Sequence, residues 1–332
     1  MNILVTGGCG FIGTNFILKL LQNERFNVFN IDNLTYASNN FLELNNGSYP
    51  KYNFLKGDIC NENFIHNIIN DFKPNYLINF AAESHVDNSI KKSREFLDTN
   101  FFGTYNLLEA SRDYFSNLKS DQKKYFKFHQ ISTDEVYGDM IDELFHEKSR
   151  YLPSSPYSAT KASADHLVRS WQRTYDLPCI VTCCSNNYGP FQFSEKLVPL
   201  IIKNALDEKD LPIYGDGKQV RDWIYVEDHC DALIKCIDYS VSGETYNIGS
   251  NNQTSNIELV TLICDNLDFM KPRAENKKYI ELIKYVTDRP GHDRKYGIDS
   301  TKTKRDLQWE PKTSLLDGIK KTINWYMDNY LG

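Results

Sequence analysis

The first half of the chain alternates short apolar runs with stretches whose apolar residues recur at helical spacing. "NILV" (Asn2 to Val5) reads as a β run, and Phe11, Ile12, Phe16, Ile17, Leu20 and Leu21 then mark one face of a helix. "NVFNID" (Asn27 to Asp32), "YNFLKGD" (Tyr52 to Asp58), "YLINFAA" (Tyr76 to Ala82), "FKFHQIST" (ending at Thr133) and "CIVTCCSNN" (Cys179 to Asn187) predict five further strands. Helices are predicted over Asn63 to Phe72, from about Ser93 to Phe115, and over Ser158 to Tyr175. Such alternation implies right-handed βαβ units and a parallel sheet covered on both faces. The expected fold is α/β: a Rossmann-type doubly wound sheet that binds ligands at the carboxyl ends of its strands. Past Asn187 the pattern loosens and Pro and Gly become frequent. We expect a first domain over 1–187, joined by about 224–249, and a smaller C-terminal α/β domain over the rest of 188–332.

Composition narrows the function classes. The 332 residues are 41% hydrophobic and 25% charged, with a net charge of −6, as in a soluble globular protein. The negative balance argues against nucleic acid or an anionic membrane as partner. No apolar run approaches the length of a membrane span, and "MNILVTGG" lacks the features of a secretory signal. The eight cysteines show neither a CxxC pair nor metal-ligand spacing. Reduced thiols in a cytoplasmic protein, with no metal, are the expectation.

Chemistry enters with "VTGGCGFIG". Gly7, Gly10 and Gly13 stand at three-residue intervals, and Gly8, Gly10 and Gly13 form a GxGxxG, between a predicted strand and a predicted helix. Glycines there permit a tight turn and close approach to a pyrophosphate, which the helix N-terminus then stabilises. Asp32 ends the second strand at roughly the spacing, about 20 residues on, of an acid that holds an adenosine ribose. An acid at that place favours NAD over NADP; the alternative is a turn residue or cap. Asp58, after strand three, stands either beside an adenine or as a plain helix cap.

Tyr157 and Lys161 in "YSATK" sit at i and i+4 on one helix face. An ammonium one turn away favours a phenolate and is expected to lower the Tyr157 pKa. Thr133 closes strand five, where its hydroxyl can reach the same substrate oxygen. Directly behind it come two acids, Asp134 and Glu135. Alone, such a pair is a solvated turn.

"LVTGGCGFIG", "FAAESHVDNSI", "ISTDEVYGD", "SPYSATKASADHLVRSW", "CSNNYGP", "EKLVPLII", "LPIYGDGKQVRDWIYVEDH", "DRPGHDRKYGID" and "LQWEPKTSLLDGIKKTINWY" extend almost to the C-terminus. Together they resemble the extended short-chain dehydrogenase/reductase family and, within it, the dTDP-glucose 4,6-dehydratase family. The resemblance implies NAD as cofactor, held by Gly7, Gly10, Phe11, Ile12, Gly13, Asp32, Asn33, Asp58, Ile59, Ala81, Ala82, Thr99, Tyr157, Lys161 and Asn187. It implies a nucleotide-sugar substrate met by Ser84, Thr133, Asn186, Lys196, Leu197, Pro212, Tyr214, Arg221, Asn256, Arg289 and His292, with the arginines on the diphosphate. It implies that Tyr157 takes the proton of the C4 hydroxyl, Glu135 the C5 proton, and that Asp134, the drier and protonated acid, protonates the departing C6 hydroxyl. Ser194 stands where the family usually has Pro, and Asn88 where Arg is common. These departures bear on loop rigidity and surface pairing rather than on the reaction. His85 is left open between core and cleft.

Three alternatives stay in view. A nucleotide-sugar 4-epimerase or decarboxylase needs Thr, Tyr and Lys but not the acid pair. A non-catalytic sensor needs neither Tyr157 nor Lys161. UDP-glucose differs from the thymidine substrate at the base by one methyl group. The family also implies a homodimer, built from the helices near Ser93 to Phe115 and Ser158 to Tyr175.

Overall fold

A computed structural model describes residues 1–140 and 143–330. The last two residues of the expected second domain lie outside the described residues. The strands are β1 (Asn2–Thr6), β2 (Asn27–Asp32), β3 (Tyr52–Lys56), β4 (Tyr76–Asn79), β5 (Lys127–Thr133), β6 (Cys179–Cys184), β7 (Asn186–Tyr188), β8 (Leu211–Tyr214), β9 (Val220–Tyr225), β10 (Thr245–Ile248), β11 (Gln253–Ser255) and β12 (Ile283–Val286).

Seven of them form one sheet in the order β10-β6-β5-β4-β1-β2-β3, and every pairing in it is parallel. The strand order reverses direction at β1, so a crevice opens beside its carboxyl end, the place where a doubly wound sheet takes a ligand. Both faces are covered. Ile3, Val5, Phe16, Ile17 and Val28 belong to one buried cluster, and Leu4, Ile31, Leu77, Leu107 and Phe128 to the other. Alternate residues of β1 therefore face opposite cores, as period-two geometry requires. The expected α/β doubly wound fold is the one observed.

Helix boundaries follow local chemistry. Asn61 caps the helix Glu62–Phe72 by accepting from Phe64 N at 3.1 Å, and Lys73 ends it in a left-handed conformation ahead of Pro74. Ser155 caps the helix Pro156–Tyr175 with a capping box and Pro at its first turn. The helix expected from about Ser93 to Phe115 is continuous through Asn117 but passes through a π-helical stretch, Leu97–Gly103. Asn100, in that stretch, donates to Glu83 O at 3.0 Å and to Thr160 Oγ1 at 3.0 Å, tying the cleft wall to the helix that carries Tyr157.

Three strands are shorter than expected. β3 stops at Lys56 and β4 at Asn79, which leaves Asp58, Ala81 and Ala82 on loops at the sheet's rim. The run Cys179 to Asn187 is two strands rather than one. Ser185 N makes a last bond to Ile248 O, and Asn187 Nδ2 turns back to Ser185 O at 2.9 Å. β7 then joins β9 and β11 in a separate three-stranded sheet. That sheet packs with the helices Leu197–Leu206, Asn256–Met270 and Leu315–Tyr330 around a third apolar cluster that includes Ile201, Trp223 and Leu259. No helix among the described residues is long and apolar enough to cross a membrane.

Candidate active site

A cleft of about 340 Å³ opens at the carboxyl ends of the central strands. Its walls include Gly7, Gly10, Phe11, Ile12, Gly13, Asp32, Asn33, Asp58, Ile59, Ala81, Ala82, Thr99 and Asn187, the residues expected at a dinucleotide. Thr133, Asp134, Glu135, Tyr157, Lys161, Ser84, Asn186 and Lys196 line it too.

The glycine turn fits a pyrophosphate by its geometry. Gly7 has φ +73°, and a Cβ there would come within 2.5 Å of Ala81 N. A Cβ on Gly13 would meet Gly7 O at 2.5 Å. Gly10 precedes the helix Phe11–Leu21 and offers no side chain to cap it, so the first N–H groups face the cleft. Asp32 is buried and accepts from Cys9 N and Leu34 N, each at 2.8 Å, and from Ser38 Oγ at 3.2 Å. Burial raises its pKa, and these donors pull it back. Asp58 is no helix cap, a place Asn61 takes. It accepts instead from Cys60 N at 2.8 Å and from Asn33 Nδ2 at 3.0 Å.

At the other end of the cleft, β5 runs into a 3-10 turn, Asp134–Tyr137. Thr133 Oγ1 donates to Asp134 Oδ1 at 3.4 Å and accepts from Glu135 N at 3.3 Å. Asp134 is 2% exposed, and its Oδ2 has no partner among the described residues. Burial, then the neighbouring Glu135, pushes its pKa well above the ordinary carboxylate value. Glu135 is only partly buried. Burial raises its pKa too, but the charges of Arg289, Arg221 and Lys196 oppose the rise. The two acids thus differ in surroundings although they are adjacent in sequence.

One expectation fails here. The Tyr157 pKa is raised well above its ordinary value, by burial first and by Glu135 second. Lys161 is itself buried, and its Nζ donates to Ile131 O at 2.6 Å. In the chain alone, the loss of solvation outweighs an ammonium one helical turn away.

Asn187 is oriented from behind. Its Oδ1 meets His229 Nδ1 at 2.9 Å, and burial holds that histidine neutral, with a pKa lowered to about 3. Neighbouring Asn186 has an unpartnered buried Oδ1 among the described residues. His85 lies beside the cleft, its Nδ1 4.0 Å from Glu195. Asn88 does not disturb pairing: its Nδ2 donates to Tyr36 Oη at 3.0 Å, and Tyr36 Oη to Glu195 Oε1 at 3.1 Å.

The remaining expected residues stand back from the cleft wall: Leu197, Pro212, Tyr214, Arg221, Asn256, Arg289 and His292. Arg221 is 4% exposed, donates to Val220 O and Asp293 O, and stacks 4.2 Å over the Tyr296 ring. Arg289 Nη1 lies 3.3 Å from Asp87 Oδ1, and Tyr214 Oη donates to the same carboxylate at 3.2 Å. His292 Nδ1 pairs with Asp288 Oδ1 at 2.6 Å. Asn256 opens the helix Asn256–Met270, and Leu197 opens Leu197–Leu206. Pro212 lies in β8.

Glu83, Ser185, Gln192, Phe193 and Glu195 also line the cleft and were not singled out from sequence. His229 was missed as well, because it touches Asn187 from a helix far along the chain. The signal for Phe193 and Glu195 was the aromatic, Gly- and Pro-flanked run "YGPFQFSEKL".

Comparison with known proteins agrees with this geometry. The family model described as GDP-mannose 4,6 dehydratase matches residues 4–322. A dTDP-glucose 4,6-dehydratase of Escherichia coli K12 is 52% identical, over 99% of this chain and 93% of that protein. The dTDP-glucose 4,6-dehydratase of Bacillus anthracis, solved in complex with NAD, is 42% identical with a TM-score of 0.87, over 100% of this chain and 98% of that one. The Streptomyces venezuelae enzyme of the same name, solved with NAD and TYD bound, has a TM-score of 0.90 at 37% identity, over 99% and 98%. With its Gly-rich turn, its Thr-Tyr-Lys set and its paired acids on one cleft, the chain belongs to the dTDP-glucose 4,6-dehydratase family.

Proposed function

We propose that the chain is a lyase that converts dTDP-glucose to dTDP-4-keto-6-deoxyglucose and water, in deoxysugar synthesis of the rhamnose type. The observation that carries this reading is the placement of two carboxyls in unlike surroundings, Asp134 and Glu135, beside Tyr157 in one cleft. NAD held there would supply the hydride acceptor for C4 and the donor for C6. Gly7 and Gly13 let the backbone approach its pyrophosphate, Asp32 takes the adenosine ribose, and Asn187 faces the nicotinamide.

Tyr157 removes the proton from the C4 hydroxyl, with Thr133 on the same cleft wall. Burial raises the Tyr157 pKa in the chain alone, and the positive charge of an oxidised nicotinamide would oppose that rise. The C4 ketone acidifies the C5 hydrogen, and Glu135, whose charge faces Arg289, Arg221 and Lys196, abstracts it and gives a proton back to C5 when hydride reaches C6. Asp134, kept neutral by burial, protonates the departing C6 hydroxyl. Arg221 and Arg289 neutralise the diphosphate, with His292, Tyr214, Pro212, Leu197 and Asn256 around the nucleotide and Ser84, Asn186 and Lys196 nearer the sugar. An epimerase makes no use of the second and third of these proton transfers.

Residues 1–187 with 224–249 serve the cofactor, and the rest the nucleotide sugar. The protein works as a homodimer. Leu97, Phe102, Tyr105 and Tyr175, exposed along the two long helices, are the apolar surface that a second copy covers. Its eight unpaired cysteines suit the reducing cytoplasm.

The test is incubation with dTDP-glucose, and separately UDP-glucose, without added NAD. Loss of one water and a new carbonyl from the thymidine substrate is the expected result. A pocket methyl contributes only roughly 1–3 kcal/mol, so some turnover of the uridine substrate is compatible with it. No product from either substrate, with NAD supplied, overturns the reading.

A further inference from the structure

Beneath the cleft lies a second buried acid. Asp165 follows Lys161 by one turn on the helix Pro156–Tyr175 and is 0% exposed. Ser132 Oγ donates to its Oδ2 at 2.6 Å and Tyr151 Oη at 3.0 Å, while Oδ1 has no partner among the described residues. Arg169, one turn further on, gives its Nη2 to Tyr151 Oη at 2.6 Å and to Thr245 Oγ1 at 3.2 Å, and stacks on the Tyr151 ring. Lys161 is 4% exposed, and its Nζ bonds Ile131 O, the residue just before Ser132. A buried ammonium bonded to one neutral carbonyl lacks a counter-charge. The candidates are few. From β6, Cys183 and Cys184 face it, and burial raises both thiols out of the range where they ionise. Tyr151 is likewise held neutral.

We infer that Asp165 is a positioning residue of the reaction: its carboxylate holds Lys161 as an ammonium and, through Ser132, fixes the strand end that carries Thr133, Asp134 and Glu135. Burial lowers the Lys161 pKa, with Asp165 the largest influence opposing it, and raises that of Asp165, which Arg169, the bond from Ser132 and Lys161 oppose in turn. On β5 the helix thus grips two successive residues, Ile131 through Lys161 and Ser132 through Asp165. The inference rests on the dehydratase reading.

The experiment follows single-turnover hydride transfer from dTDP-glucose in the holoenzyme between about pH 6 and pH 9.5. Wild type must first yield the keto sugar; without that, it is the dehydratase reading that fails. In Asp165→Asn, Lys161 gives up its proton at lower pH. Its loss of rate should then be about tenfold greater at high pH than near pH 6.5, for each pKa unit removed. Asp165→Ser, smaller and equally uncharged, serves where the amide does not fit. Asp165→Glu keeps the carboxylate and should keep the wild-type limb at a reduced rate. A rate that falls by one factor at every pH in the neutral variants, or the same shifted limb in Asp165→Glu, overturns the inference.

Discussion

Asp134 and Glu135 leave one 3-10 turn for different surroundings: Asp134 is buried with an oxygen that has no partner among the described residues, and Glu135 faces three cationic side chains. An elimination needs one acid and one base, and the turn provides both from consecutive residues because the chain has already left strand geometry. Asp134→Asn and Glu135→Gln should each permit C4 oxidation and block water loss. In a rapid-mixing experiment, reduced nicotinamide should accumulate and overall turnover fall by about 10²–10⁴-fold. Normal turnover in both variants reduces the pair to a surface turn.

Asp134 should also cost stability. Its folded pKa lies above the unfolded value near 3.9, so the folded state holds the proton more tightly. The associated stability is present below about pH 3.9 and is lost as pH rises through the folded pKa. Asp134→Asn removes that loss. Its melting temperature should exceed wild type by roughly 2 °C or more at pH 8 and match it at acid pH. Equal melting temperatures at pH 8 contradict a neutral Asp134.

Gly7→Ala puts a Cβ 2.5 Å from Ala81 N at a φ of +73°. Backbone cannot yield as a flexible side chain does, so the variant should lose about 1–3 kcal/mol of stability. Retained NAD after gel filtration, read by absorbance, should fall with it. Full retention at wild-type stability would place the pyrophosphate elsewhere.

His229→Ala leaves Asn187 Oδ1 without its partner. An unsatisfied buried amide costs about 1–3 kcal/mol. Because His229 is neutral over the working range, its loss should lower the rate without altering the pH profile. A displaced pH optimum would make His229 a titrating participant.

Arg221→Lys keeps a charge but loses the planar fork that reaches three carbonyls and stacks on Tyr296. KM for the nucleotide sugar should rise by about tenfold or more, with a smaller change in kcat. A change confined to kcat would move Arg221 from the diphosphate to the reacting sugar.

The parallel sheet was legible because Val5, Ile31 and Ile78 sit in runs that a two-sided core demands, and the glycine turn because only its φ and crowding suit that place. The break at Ser185 was not, since "CIVTCCSNN" is uniformly strand-like; what divides it is a side chain folding back and a partner strand far along the chain. Tyr157 and Lys161 were placed by spacing, but their protonation depends on burial, which spacing does not encode. Asp165 was within reach at i+4 from Lys161, yet nothing in a helical "KASAD" says that its carboxylate points inward.

The clasp between Asp87 and Arg289 gives the substrate a competitor inside the protein. Tyr214 holds the same carboxylate. Only Nη1 of Arg289 meets Asp87, and its Nε has no partner among the described residues, so a diphosphate bound as proposed would meet a guanidinium already half neutralised rather than a bare positive site. Added salt weakens the existing pair along with the incoming one. Affinity for the nucleotide sugar should therefore decline less steeply with ionic strength than two unpaired arginines would dictate.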